Sequence, residues 1–180
     1  RFVGPSAVEV DGETLEARHI VLATGAEPMK LGIPGEEHLI DNEGFLKMES
    51  LPRRIVLVGG GYVAAEFSHI AARAGAEVTI LQHGDRMLKG FDPDLVGWLM
   101  EKYEEIGVTL HTGTEVKRIE KTGDTFRITA ASGGGSETFE ADMVVHAAGR
   151  KPDFEPLDLN AGGVELRDGK LALNDYLQST

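Results

Sequence analysis

At 180 residues, with 41% hydrophobic and 27% charged side chains, the chain has an ordinary globular composition, enough for one domain with a substantial core but crowded for two. A formal net charge of -12 argues against a general nucleic-acid surface, and no apolar run approaches the roughly 20 residues that cross a bilayer. There are no cysteines, which excludes disulfide scaffolding, thiolate-zinc sites and thiol redox chemistry for these residues. The opening RFVGPSAVEV has neither the basic nor the long apolar region of a signal peptide, so a cytoplasmic location is expected. It starts without Met on what reads as an internal strand, which suggests a segment of a longer chain.

Residues 8–10 and 15–23 flank the turn dipeptide Asp11-Gly12, predicting a hairpin whose second arm ends in a buried core strand at 19–23. Prolines 28 and 34 with glycines 25, 32 and 35 make the next stretch an irregular crossing, and 42–48 a short helix that Leu51-Pro52 ends. A strand at 55–58 then runs into Gly59, a helix over 62–74 stops at Gly75, and EVTIL (77–81) returns as a second strand. After a loop over 82–91, Asp92-Pro93 supplies an N-cap and a first-turn proline for a helix reaching Ile106. Its expected inner face is Leu95, Leu99, Tyr103 and Ile106, with Gly107 as the cap and a third parallel strand at 108–111. From Glu115 the apolar period becomes two, predicting an antiparallel meander of strands at 116–120, 125–131 and 138–145 over one face of the parallel sheet. MVVHA (143–147) reads as a further core strand ending in a second turn-like crossing at 148–152, and Asp168-Gly169 centres a last hairpin.

The most informative stretch is RIVLVGGGYVAAE (54–66). Residues 55–58 are apolar on both faces, as a buried parallel strand requires, and Gly59, Gly61 and Ala64 fall at the G-x-G-x-x-G/A positions around Gly60, Tyr62 and Val63. Gly59 permits the tight turn, Gly61 lets backbone approach phosphates, Ala64 lets the helix lie close to the strand, and the helix N-terminus offers N–H groups to an anion. A glycine cluster alone means only a turn, and a plain βαβ unit is the competing reading. The strand before, the helix after and the strand about twenty residues on favour a dinucleotide pyrophosphate.

Four segments in order, IVLATGAEP (20–28), IPG (33–35), LPRRIVLVGGGYVAAEF (51–67) and ADMVVHAAGRKPD (141–153), resemble the pyridine nucleotide-disulfide oxidoreductases, the glutathione reductase and lipoamide dehydrogenase family. The resemblance covers essentially the whole chain. It implies an α/β, Rossmann-like FAD/NAD(P)-binding fold, with a parallel sheet flanked by helices and an antiparallel β-meander. Residues 26–151 would be the NAD(P)H-binding domain, and 1–25 and 152–180 parts of an FAD domain. The family's FAD fingerprint with its cysteine pair, its later FAD-binding aspartate motif and its dimerisation domain with a catalytic histidine are not among these residues. The full-length enzyme would then be an FAD-dependent homodimer passing hydride from NADPH to flavin and on to a disulfide, while these residues alone would bind nucleotide without disulfide turnover. A stand-alone nucleotide-binding or regulatory module, or a related NADH oxidase or ferredoxin reductase, are the alternatives.

By default Tyr62 would be a core aromatic and Glu66 a solvated helical carboxylate. The resemblance gives both catalytic placements: Tyr62 matches the tyrosine that lies over the flavin and moves for the nicotinamide ring, and Glu66 the glutamate that contacts the nicotinamide. It also places Thr24, Gly25, Ala148, Gly149 and Arg150 where nicotinamide and flavin domains meet. Cofactor choice turns on the end of the second strand, where a carboxylate would bind the ribose 2′-OH and repel a 2′-phosphate. That position is the neutral Gln82, followed by the basic His83, Arg86 and Lys89, which favours NADPH over NADH. The remaining histidines show no ligand spacing, and no metal site is expected.

Overall fold

The computed structural model describes residues 1–179. Strand β1 (Phe2–Gly4) lies beside β2 (Ala7–Val10), which pairs antiparallel with β3 (Glu13–Glu16). Asp11 and Gly12 take positive φ values of 50° and 83°, the tight two-residue turn whose twist suits a hairpin, and put Val10 opposite Glu13. The expected core strand at 19–23 does not form. A parallel core strand needs a ladder on each edge, and among the described residues no strand lies along this segment. It is instead an extended cover: Ile20 and Leu22 pack on Phe2, Leu159 and Val164, while Val21 is 86% exposed.

Strand β4 (Ala26–Pro28) is followed by a 3-10 turn at Glu36–His38 and by α1 (Asn42–Leu46), whose first turn is capped by Asp41 accepting from the Gly44 N–H at 2.9 Å. Next come β5 (Arg54–Val58), α2 (Tyr62–Arg73), β6 (Glu77–Leu81), α3 (Pro93–Glu105) and β7 (Val108–His111), then the meander β8 (Thr114–Thr122), β9 (Thr125–Ser132) and β10 (Gly135–Ala141), and β11 (Met143–His146). The expected strand at 138–145 is thus two strands in two sheets, one ending at Ala141 and the other starting at Met143. A four-stranded parallel sheet has the order β11-β5-β6-β7, with Val144 level with Val56 and Val56 with Thr79.

The apolar run of β5 divides between two layers. Ile55 and Leu57 meet Ala64, Phe67 and Ala71 of α2 and Tyr103 of α3, while Val56 and Val58 meet Val116, Ile119, Ile128 and Ala130 of the meander. Phe67 stacks on Phe45 of α1 with ring centres 4.1 Å apart. On α3 the inner face is turned from the expected one: Val96 and Tyr103 are buried and Leu99, Met100 and Ile106 half-buried, but Leu95 is 59% exposed. Helix α3 begins as expected, with the Asp92 carboxylate accepting from the N–H groups of Asp94 and Leu95.

Strand β12 (Arg150–Pro152) pairs with β4, and β13 (Leu166–Arg167) meets β14 (Lys170–Leu171) across Asp168-Gly169, a second positive-φ turn. The chain divides into two compact units, one of Arg1–Glu27 with the residues from Arg150 onward, the other Pro28–Gly149. No helix among the described residues is long and apolar enough to cross a membrane.

One ion pair ties the start of β5 to the residue before β11. Arg54 Nη2 lies 2.6 Å from Asp142 Oδ1, and the Arg54 backbone N–H donates to Oδ2 at 2.9 Å. The guanidinium hydrogen bond, and then the backbone bond and charge, hold the Asp142 carboxyl below the usual range against partial desolvation. A carboxyl with a folded pKa below its unfolded value adds stability that is present above the unfolded pKa and lost as pH falls through the folded one. The acid limb of thermal stability below about pH 4 should therefore be shallower for Asp142→Asn than for the parent. Melting curves of both proteins from pH 7 to 2 check this, and parallel limbs would discount the pair.

Candidate functional site

The chain runs from β5 to β6 and β7 on one side, while β11 joins β5 from the other, so the strand order reverses at the C-terminal ends of β5 and β11. Ligands of open parallel sheets bind at that kind of crevice. The glycine turn occupies it. Gly59 has φ 104° and donates its N–H to the Leu81 carbonyl at 2.8 Å, and a Cβ there would stand 2.5 Å from backbone atoms of Ala147 and Ala148. Gly61 is the N-cap of α2 with no side-chain cap, and the first turn carries no acidic residue. The leading N–H groups of α2, over Tyr62, Val63 and Ala64, are left for an outside acceptor at the positive end of the helix.

Gly60, by contrast, is closed. Its N–H donates to Gln82 Oε1 and its carbonyl accepts from the Leu88 N–H, each at 2.8 Å. Gln82, placed by sequence at the ribose position, turns inward: it is 6% exposed, and its Nε2 donates to the Arg86 carbonyl at 3.2 Å. The basic residues after it differ in their freedom. His83 is exposed, and Lys89 Nζ pairs with Asp85 at 3.4 Å, which holds the Asp85 carboxyl below its usual range. Arg86 donates through Nη2 to the Lys89 carbonyl at 2.7 Å and leaves Nη1 buried with no hydrogen-bond partner.

A cleft of about 200 Å³ adjoins the turn, with Gly59 and Ala148 at one wall. Its apolar lining is Leu31, Ile33, Leu81 and Val116, with exposed His83 and Glu115 beside them. The Glu115 carboxyl is held below its usual range by the Lys117 ammonium 2.6 Å away, so its charge is locally compensated. Sequence reasoning missed Leu31, Ile33, Glu115 and Val116. They come from the crossing segment and the meander, and only Ile33 lies in a recognised motif, the IPG of 33–35, which does not mark it as a wall of a cleft. In a second cleft of similar volume, His146 Nε2 lies 2.7 Å from the Met29 carbonyl and Glu36 accepts from the Leu31 and Gly32 N–H groups, so both side chains are committed to backbone.

Tyr62 is 57% exposed and stands on the outer face of α2 with exposed Glu66 one turn on, while Ala64 is fully buried against the sheet as its position in the motif requires. The structure does not make Tyr62 a core aromatic. Thr24, Gly25 and Arg150 lie in the other compact unit. There Thr24 Oγ1 donates to the Asp153 carbonyl at 3.1 Å, and the Arg150 guanidinium donates to the Ala26 carbonyl. The Gly149 carbonyl accepts from the Met29 N–H at 3.1 Å.

A strand, a glycine turn and an uncapped helix at a sheet's switch point recur in many nucleotide-binding proteins. Comparison of the whole sequence decides among them, because residues 1–180 match the family profile described as "Pyridine nucleotide-disulphide oxidoreductase". The chain belongs to this family. It is 33% identical to a mercuric reductase of Bacillus cereus, over 100% of this chain and 29% of that protein. Against a dihydrolipoyl dehydrogenase of Thermus scotoductus it is 35% identical, over 100% of this chain and 40% of the other. A glutathione reductase of Schizosaccharomyces pombe is 33% identical, over 99% and 40%. The fold is similar to that of the HOCl-induced flavoprotein disulfide reductase RclA from Escherichia coli, with a TM-score of 0.88 and 25% identity, covering 99% of this chain and 41% of that one. The chain thus spans about two-fifths or less of the relatives it matches.

Proposed function

We propose that these residues are the nicotinamide-dinucleotide-binding portion of an FAD-dependent pyridine nucleotide-disulfide oxidoreductase, with NADPH preferred to NADH. The observation that carries this reading is the uncapped start of α2 directly behind Gly59-Gly60-Gly61, with no carboxylate in the first turn and an apolar cleft alongside. The pyrophosphate would lie on the N–H groups of Gly61 to Ala64. The adenosine would enter the cleft between the Leu31 and Ile33 wall and Val116. Arg86, with an unpaired buried N–H, and His83 would receive the 2′-phosphate through charge-assisted hydrogen bonds, with Lys89 contributing less because Asp85 already pairs with it.

In this reading 26–151 form the NAD(P)H-binding domain and 1–25 with 152–180 belong to the FAD domain. The separation into units at 27/28 and 149/150 supports that division. FAD, when bound, supplies a carrier that takes a hydride and hands an electron pair to a disulfide. In this reading the resemblance turns Tyr62, Glu66 and the crossings with Thr24, Gly25, Ala148, Gly149 and Arg150 toward the flavin. Tyr62 and Glu66 project from one face of α2, which suits covering and orienting a nicotinamide ring. With no cysteine, these residues bind and orient the nucleotide but do not reduce a disulfide themselves. The homodimeric state and cytoplasmic location of the intact enzyme are carried over from the family and the sequence.

Titration of the protein with NADPH and with NADH, followed by calorimetry, tests the reading. Saturable binding of NADPH is expected, with NADH about 10–100-fold weaker for the loss of one or two charge-assisted bonds. No saturation with either nucleotide would overturn it.

A further inference from the structure

We infer that Gln82 is a positioning residue, a buried strut that fixes the glycine turn and the 84–89 loop relative to each other, and that it does not itself read the nucleotide ribose. The inference rests on the nucleotide site proposed above and assigns Gln82 a role within it.

Each of the four polar groups of Gln82 has a partner inside the protein. Its backbone N–H donates to the His111 carbonyl at 2.8 Å, and its carbonyl accepts from the Thr114 N–H at 2.9 Å, so the ends of β7 and β8 clamp its main chain. Its side chain then spans two loops, with Oε1 accepting from the Gly60 N–H at 2.8 Å and Nε2 donating to the Arg86 carbonyl at 3.2 Å. The neighbours leave it no room to swing. A Cβ on Gly60 would come within 3.0 Å of Gln82 Cγ and Cδ, and one on Gly84 within 2.8 Å of Nε2, so both glycines are packed around this amide. The Leu88 N–H donates to the Gly60 carbonyl, adding a second tie between the same two loops.

The chemistry of the side chain fits a strut and not a reader. An amide is the one side chain of this length that offers both an acceptor for the Gly60 N–H and a donor for the Arg86 carbonyl. A carboxylate in its place could keep the first bond, but its second oxygen would oppose the Arg86 carbonyl while buried at 6% exposure. The function follows from what is held. Gly60 sits between the turn residue Gly59 and the N-cap Gly61, so fixing its amide fixes the direction of the N–H groups on which either nucleotide's pyrophosphate would lie. The other bond goes to the Arg86 backbone carbonyl, and the guanidinium keeps its own tie to the Lys89 carbonyl, so the loop's cation stays held without the strut. Loss of the strut therefore loosens a feature common to NADPH and NADH, whereas loss of a ribose reader changes the preference between them.

The discriminating variant is Gln82→Met, which keeps length and uncharged bulk but makes neither bond, with Gln82→Glu beside it. Both are compared with the parent well below their melting temperatures. For Gln82→Met the strut requires faster amide hydrogen exchange at Gly60 in the free protein, about a three- to tenfold weaker affinity for NADPH and for NADH alike, and a ratio between them unchanged within about threefold. Gln82→Glu should not tighten NADH, because its carboxylate stays on the Gly60 N–H and does not turn to the ribose. Unchanged exchange at Gly60 in Gln82→Met, or a NADPH-to-NADH ratio that moves by tenfold, would overturn the inference, as would tighter NADH binding by Gln82→Glu. The exchange measurement needs no ligand. A parent protein that bound neither nucleotide would therefore sink the functional reading while the exchange at Gly60 still decided whether Gln82 is a strut.

Discussion

Gly59→Ala is expected to be among the most damaging single substitutions in the chain, lowering stability by about 2–6 kcal/mol and the melting temperature by roughly 5–20 °C. Two costs add. An alanine at φ 104° is in a conformation that L side chains rarely adopt, and its Cβ would stand 2.5 Å from the carbonyl carbon and oxygen of Ala147 and from Ala148 Cα. Those are backbone atoms at the end of β11, held there by the Ala147 N–H donating to the Val58 carbonyl at 2.8 Å, so relief requires prying β11 from β5. The neighbouring glycines give the internal control. A Cβ on Gly60 would crowd Cγ and Cδ of Gln82 and Cγ of Met87 at 3.0 Å, side-chain atoms at a longer distance than the backbone met at Gly59, and one on Gly61 meets only the Ala147 carbonyl at 3.5 Å, an ordinary contact. Thermal melts should therefore rank the alanine variants 59, 60, 61 from worst to mildest. On the nucleotide-binding reading proposed above, Gly61→Ala should stay folded yet weaken nucleotide binding, because it adds a methyl group at the N-cap of α2 beside the N–H groups offered to the pyrophosphate. Equal destabilisation by all three would mean that the turn is not braced by β11 as described.

How much of this was legible in the sequence depends on how local each feature is. The Asp11-Gly12 and Asp168-Gly169 turns, the caps at Asp92 and Gly75, and the strand-turn-helix-strand unit from Arg54 to Leu81 all lie within the span over which propensity and period act, and all appear in the fold. The apolar run at 19–23 was ambiguous for a physical reason: continuous hydrophobicity marks burial, and only pairing partners elsewhere in the chain make a buried extended segment a strand. On α3, spacing predicted an inner face but could not choose between Leu95 and Val96, whose directions differ by about 100°, because the choice belongs to the sheet beneath. The site divides in the same way. The glycines and the neutral residue after β6 were visible as residue types at set spacings. That Gln82 folds inward onto Gly60, or that Leu31, Ile33 and Val116 wall a cleft beside the turn, follows from contacts between segments 22 to about 85 residues apart, which no local pattern encodes.

Arg86→Ala is expected to separate the two nucleotides, raising the dissociation constant for NADPH by about 10–100-fold while changing that for NADH by less than about threefold. The argument starts from an unsatisfied atom. A buried guanidinium N–H without an acceptor costs about 1–3 kcal/mol, and Nη1 of Arg86 is in that state. Turning the guanidinium outward onto a phosphate oxygen would remove the cost and add a charge-assisted bond, and only NADPH carries a phosphate beyond the pyrophosphate. The other cations of the loop are weaker candidates, because Lys89 is already paired with Asp85 and His83 is an exposed imidazole. Removing Arg86 should cost the free protein little, since the lost bond to the Lys89 carbonyl is set against the removal of the unpaired N–H. Arg86→Lys restores the charge without the planar fork and should recover only part of the affinity. Binding isotherms for the three proteins with both nucleotides read this directly. Equal weakening of NADPH and NADH would assign Arg86 to the pyrophosphate or to the loop's own structure, and would move the basis of any NADPH preference away from this residue.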